Sequence, residues 1–209
     1  MRQLAGFISY LFHPLLMPSY IFLWLLYTGN YFSFFLPPTV KILLLAITFV
    51  FTCLLPVFNL FLLKRFKIIS DYYVYEGSKR FFPYVITALF YFGMTYLLWD
   101  FKIPVIFKSV IFSAGFAILL SALLNLKWKI SAHMVGVGGL LAVVLMASYV
   151  LGQNYVWWIS FIVLLSGAIG SSRLLLEAHT ASQVYAGFFL GLFSCILSLF
   201  FILFFSFHG

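Results

Sequence analysis

The chain has 209 residues, of which 65% are hydrophobic, 22% aromatic and only 8% charged, with a net charge of +8. A soluble domain carries about a quarter charged residues, so this chain cannot surround itself with a water-compatible surface. A soluble enzyme, a disordered protein and a secreted disulfide scaffold are excluded, leaving an all-α polytopic transmembrane bundle whose apolar outside is matched by lipid.

A helix crossing ~30 Å of hydrocarbon needs about 20 apolar residues. Seven candidates follow in chain order. The first, 5–29, is interrupted by His13-Pro14-Leu15-Leu16-Met17-Pro18, so it is kinked or re-entrant and the count is six to seven. The second is 39–63. The third, 84–99, is short and aromatic. The others are 105–126, 134–151, 155–172 and 184–207. The last carries Gly187 and Gly191, a G-x-x-x-G spacing that permits close helix contact. The sequence shows no internal repeat, low-complexity linker or signal-peptide cleavage pattern, and reads as a single integral membrane domain, 1–209. Cys53 and Cys195 fall inside apolar runs, which suggests packing rather than a disulfide or a zinc site.

The excess of basic residues does not point to nucleic acid, because Lys and Arg lie between the apolar runs. Positive-inside topology and anionic headgroups account for many of them. Three loops hold most of the polar chemistry, at 64–83, 125–133 and 171–183. With seven alternating spans all three emerge on one face. They supply Lys79, Arg80, Lys127, Lys129, Ser131, His133, Arg173 and His179. Ionisable groups at a membrane boundary are expensive and are functional candidates by default.

The chemistry that suits this set is phosphate. Arg offers a planar fork to two phosphate oxygens and Lys a point charge. One His can attack phosphorus and another can protonate the leaving oxygen near neutral pH. Helix N-termini after Ser131 and His179 add backbone N–H donors. Two histidines without a Cys or carboxylate pair make a poor metal set. Taken singly, His133 and His179 read better as interfacial residues satisfied by water or backbone; together with Arg173 they read better as a site. Lys129 reads as a headgroup contact, and His13 as either a packed polar group or a wall of the site. Asp71 and Glu76 read as partners of local cations.

Ser172-Arg173, five residues, then His179 resembles the third signature of the type-2 phosphatidic acid phosphatase superfamily, Ser-Arg-x5-His-x3-Asp. Ile130-Ser131-Ala132-His133 resembles its second, Pro-Ser-Gly-His, and the 38 residues between His133 and Ser172 are similar to the family spacing. The resemblance covers about 60–207, with 5–63 as additional N-terminal spans. It departs at Gln183, which stands where the family has Asp, at Ile130 and Ala132, and in the first signature, Lys-x6-Arg-Pro, which is not intact. Lys127 and Arg80 are its nearest equivalents.

The resemblance implies a lipid phosphate phosphatase working through a phosphohistidine. His179 would be the nucleophile, held by Gln183, and His133 the acid for the leaving alcohol. Lys127, Arg80 and Arg173 would clamp phosphate, with Lys79 beside them and Ser131 donating a hydrogen bond. It implies no metal or cofactor, and partners limited to a lipid phosphate substrate and membrane lipids. The alternatives are a catalytically weak or inactive lipid-phosphate binder or transporter, favoured by Gln183, and a small channel or structural bundle. The expected location is a bacterial inner (plasma) membrane. Nine Lys and Arg against three place the site face inside by charge, whereas the family resemblance places it outside.

Overall fold

The computed structural model describes residues 1–29, 31–68 and 80–208, and no strand occurs among them. Helices α1 (Arg2–Leu11), α2 (Met17–Tyr27), α3 (Tyr31–Phe35), α4 (Pro38–Phe49) and α5 (Leu55–Arg65) precede α6 (Phe81–Leu97). They are followed by α7 (Val105–Asn125), α8 (Ala132–Leu151), α9 (Val156–Leu175) and α10 (Ala181–His208). Among the described residues, six segments are long and apolar enough to cross a membrane: Arg2–Tyr27, Pro38–Arg65, Val105–Asn125, Ala132–Leu151, Val156–Leu175 and Ala181–Phe205. The short third candidate is α6, with 17 residues. It packs along α7.

The first span is kinked and continues across the bundle. Pro14 has no N–H, and the residue before a proline avoids the helical region. His13 accordingly sits extended at φ −62°, ψ 137°, and a single 3-10 turn, Pro14–Leu16, links α1 to α2. Pro18 falls in the first turn of α2, where no intrahelical donor is needed. At one end of the span Arg2 pairs with Glu177, just past α9. At the other, Trp24 packs edge-on against Tyr155 and Trp158 at the start of α9. The two spans therefore run antiparallel, with the break near the middle of the first.

The second span widens to a π-turn at Val50–Leu54. Pro56 explains it, since its missing N–H and its ring cannot fit the regular ladder. Thr52 in this turn bonds back to the Thr48 carbonyl and reaches the Leu15 carbonyl at 3.4 Å, so the irregular stretches of the first two spans meet.

Lipid supplies no hydrophobic drive between helices, so small residues and satisfied polar groups decide the packing. Thr48, Thr87, Thr95, Ser121 and Ser166 each bond to the carbonyl four residues earlier, which lets them sit buried without any functional meaning. Helix α8 is the most enclosed span, with Val137, Ala142, Val144 and Ala147 fully buried. At the end remote from Arg2, Lys41 lies over the Tyr27 ring and Lys108 bonds the Trp99 carbonyl. These pairs suit a membrane interface.

Candidate functional site

Helices α8 and α10 run parallel and touch backbone to backbone. A Cβ placed on Gly191 would lie 2.0 Å from the Val135 carbonyl oxygen, one on Gly187 2.6 Å from that of Ser131, and one on Gly138 2.2 Å from that of Phe188. The G-x-x-x-G spacing is thus used, and only glycine fits. The contact sets the two helix N-termini side by side, and the Ser131 N–H donates to the Gln183 carbonyl at 3.2 Å. Each N-terminus carries about half a positive charge.

The loop entering α8 is held from both sides. Buried Asn125 donates to the Ser121 carbonyl at 2.7 Å and accepts the Ile130 N–H at 3.0 Å. Ile130 is fully buried. Lys129 donates to the Ala178 carbonyl at 3.1 Å and so ties this loop to the one before α10. That second loop turns sharply because Glu177 adopts φ 53°. The Glu177 N–H reaches the Leu174 carbonyl and the Ala178 N–H that of Arg173, a Schellman-type end to α9. This turn brings His179 back over the bundle. The sequence places Arg173 in a loop, whereas α9 runs on past it to Leu175.

His179 meets Gln183 at 3.2 Å through Nδ1 and Oε1. The same oxygen accepts the Thr180 N–H at 3.2 Å, which identifies it as the amide carbonyl. A carbonyl only accepts, so Nδ1 carries the proton and Nε2 keeps its lone pair. Burial, together with Lys129, Arg80 and Arg173, pushes the His179 pKa down to about 4. The ring is neutral at pH 7. Lys129 is also lowered, first by burial and then by Arg80 and Arg173.

His133 contacts the Ser9 carbonyl at 3.0 Å through Nε2, so this nitrogen is the protonated one. Arg173 Nη1 donates to Ser9 Oγ at 3.1 Å. The His13 ring stands edge-on to His133, 5.7 Å between centroids. Arg173, His13 and His179 all lie close enough to His133 to interact with it electrostatically. Ser131 Oγ is buried with no hydrogen-bond partner among the described residues.

The structure therefore brings His179, Gln183, His133, Ser131, Arg173 and Arg80 to one end of the bundle. Lys127 is exposed, and the lysine whose charge acts on His179 is Lys129. Lys79, Asp71 and Glu76 lie outside the described residues. Ser9 carries no signal in the sequence, since a serine in an apolar span is ordinarily a back-bonded packing residue. His13 signals itself only through Pro14.

The described carboxylates are Asp100 and Glu177, and Glu177 turns to Arg2. Two helix N-termini and three cations thus surround two neutral-capable imidazoles, an arrangement that stabilises an anion with several oxygens. Among the described residues no group of three or more His, Cys, Asp or Glu is placed to hold a metal ion. No protein-family model, curated protein or solved structure matches this chain.

Proposed function

We propose that the chain is a membrane-embedded phosphatase acting on a lipid phosphomonoester or pyrophosphate. The observation that carries this reading is the meeting of His179, with a free Nε2 lone pair, and His133, with a protonated Nε2, among Arg173, Arg80 and Lys129. Nucleophile, acid and clamp are the three parts that phosphoryl transfer needs.

The steps balance as follows. His179 Nε2 attacks phosphorus, and the bond from phosphorus to the lipid oxygen breaks. That oxygen takes the Nε2 proton of His133, which enters the step as imidazolium, charged beside the bound phosphate dianion, and leaves it as the neutral ring. Water then attacks the phosphohistidine and gives a proton to His133. The P–N bond breaks, inorganic phosphate leaves, and both rings return to their starting state. Arg173, Arg80 and Lys129 hold the nonbridging oxygens, with Lys129 in the part first assigned to Lys127. Ser131 Oγ donates to the phosphoryl group. The lipid tail stays among the spans, which explains a polar site at the membrane boundary.

A second reading, a lipid-phosphate binder or transporter, is favoured by Gln183. Its neutral amide stabilises a developing imidazolium less than a carboxylate does. Phosphate release from a panel of lipid phosphates by the purified protein, beside His179→Ala, separates the two. Release lost in the variant supports the enzyme. No release from any substrate, with lipid phosphate still bound, supports the binder.

A further inference from the structure

The two groups that would face a phosphorylated substrate both face Ser9. His133 Nε2 is bonded to the Ser9 carbonyl and Arg173 to the Ser9 hydroxyl. Ser9 is only 7% exposed, and Ser131 beneath is completely buried. No oxygen of a substrate can reach His133 Nε2 or Ser131 Oγ while α1 lies here. We infer that α1 is a self-occluding lid, in which the two oxygens of Ser9 stand in for oxygens of the phosphate group. The inference rests on the reading of this site as one that takes phosphate.

The chain around Ser9 is built for release. In an unbroken helix the Ser9 carbonyl would accept the N–H of residue 13. The break before Pro14 takes His13 out of the helix, so the carbonyl is one of the orphans at the end of α1 and is free to serve His133. The same break is a hinge. It joins α1 to α2 through Phe12, His13 and one 3-10 turn, so α1 can move as a unit while α2 stays packed against α4 and α8.

The lid packs along a single long helix, α9. Only Ala5 and Ser9 of its ten residues are buried, and its outer end is latched by Arg2 and Glu177, which are 74% and 77% exposed. Exposed pairs of this kind hold little. A lipid phosphate offers more charge and more oxygens to Arg173 and His133 than a neutral serine can, so substrate competes favourably for the same donors. Closure between turnovers keeps water and soluble phosphate away from the cationic pocket.

The test uses the full chain in phosphatidylcholine vesicles, with and without phosphatidic acid, beside Arg2→Ala and Ser9→Ala. Amide exchange of residues 3–12 reports the lid, and phosphate release reports the site. Phosphatidic acid is expected to speed exchange of α1 in the unsubstituted chain. Arg2→Ala should lower KM about two- to fivefold, the range of an exposed ion pair. Ser9→Ala should lower it about tenfold, as loss of a bond to a charged group. In both variants kcat is unchanged.

A packing role alone would not lower KM. A raised KM, or exchange of α1 that is unmoved or slowed by phosphatidic acid, overturns the lid and makes α1 a fixed wall. If no variant releases phosphate, the phosphatase reading falls separately. Exchange then decides the lid alone: acceleration by phosphatidic acid supports it and anything else overturns it.

Discussion

Gln183 Oε1 accepts both the His179 Nδ1–H and the Thr180 N–H, each at 3.2 Å. One amide oxygen thereby sets the tautomer of the candidate nucleophile and caps the first turn of α10. A carboxylate in the same place would do both and would also stabilise the imidazolium that forms as phosphorus is attacked.

Gln183→Asp is therefore expected to raise phosphate release, by about tenfold if one added unit of imidazolium stabilisation reaches the transition state. The measurement is kcat on a lipid phosphate. An unchanged rate would mean that another residue already supplies the missing charge.

The pH dependence follows from His179. Its folded pKa is about 4, below the ordinary 6.5, chiefly through burial and then through Lys129, Arg80 and Arg173. Between these values the unfolded chain binds more protons than the folded one, so this group's contribution to stability is full above pH 6.5 and is lost as pH falls towards 4. On the activity side, the nucleophile stays unprotonated through that window. The acid limb of kcat/KM assigned to His179 is expected well below pH 6.5, and in Gln183→Asp it should move up. A limb at the ordinary histidine value in the unsubstituted chain would contradict the cationic surroundings.

Lys129 and Lys127 are two residues apart and make opposite predictions. Lys129 acts on His179 and braces the Ala178 carbonyl, whereas Lys127 is exposed. Lys129→Ala should weaken binding of lipid phosphate by about tenfold or more, the loss of one charge-assisted contact. Lys127→Ala should change it less than about threefold, as expected of an exposed charge. Vesicle binding at low and moderate salt reads both. Equal losses would return the clamp to Lys127.

Gly191→Ala tests the scaffold. Its Cβ would lie 2.0 Å from the Val135 carbonyl oxygen, so α8 and α10 must separate, at a cost of about 1–3 kcal/mol. The shift also moves Ser131 and His133 relative to His179, so activity should fall by more than stability alone explains. Gly167→Ala, where nothing lies within 4 Å of the new carbon, is the control and should change stability by less than about 1 kcal/mol. Thermal unfolding in detergent beside phosphate release measures both effects.

Much of the architecture is legible in the chain because the bilayer imposes one simple length rule. Apolar runs of about 20 residues become helices. The boundaries shift only by a few residues, as where α9 runs through Arg173 to a left-handed turn at Glu177. Gly187 and Gly191 are visible as a spacing, yet that spacing is common in apolar segments. Only the facing Val135 and Ser131 carbonyls show that it is used.

By itself the sequence determined a helical membrane protein with its polar residues gathered in three loops, because scarce charge and long apolar runs allow nothing else. It also marked His133, Arg173 and His179 as a related set through their order and spacing. Tertiary structure alone decided which groups meet. It chose Lys129 over Lys127 and carried Ser9 across 124 residues to His133. Spacing along a chain records local geometry, whereas these contacts depend on how closely α8 and α10 approach and on where Pro14 breaks the first span.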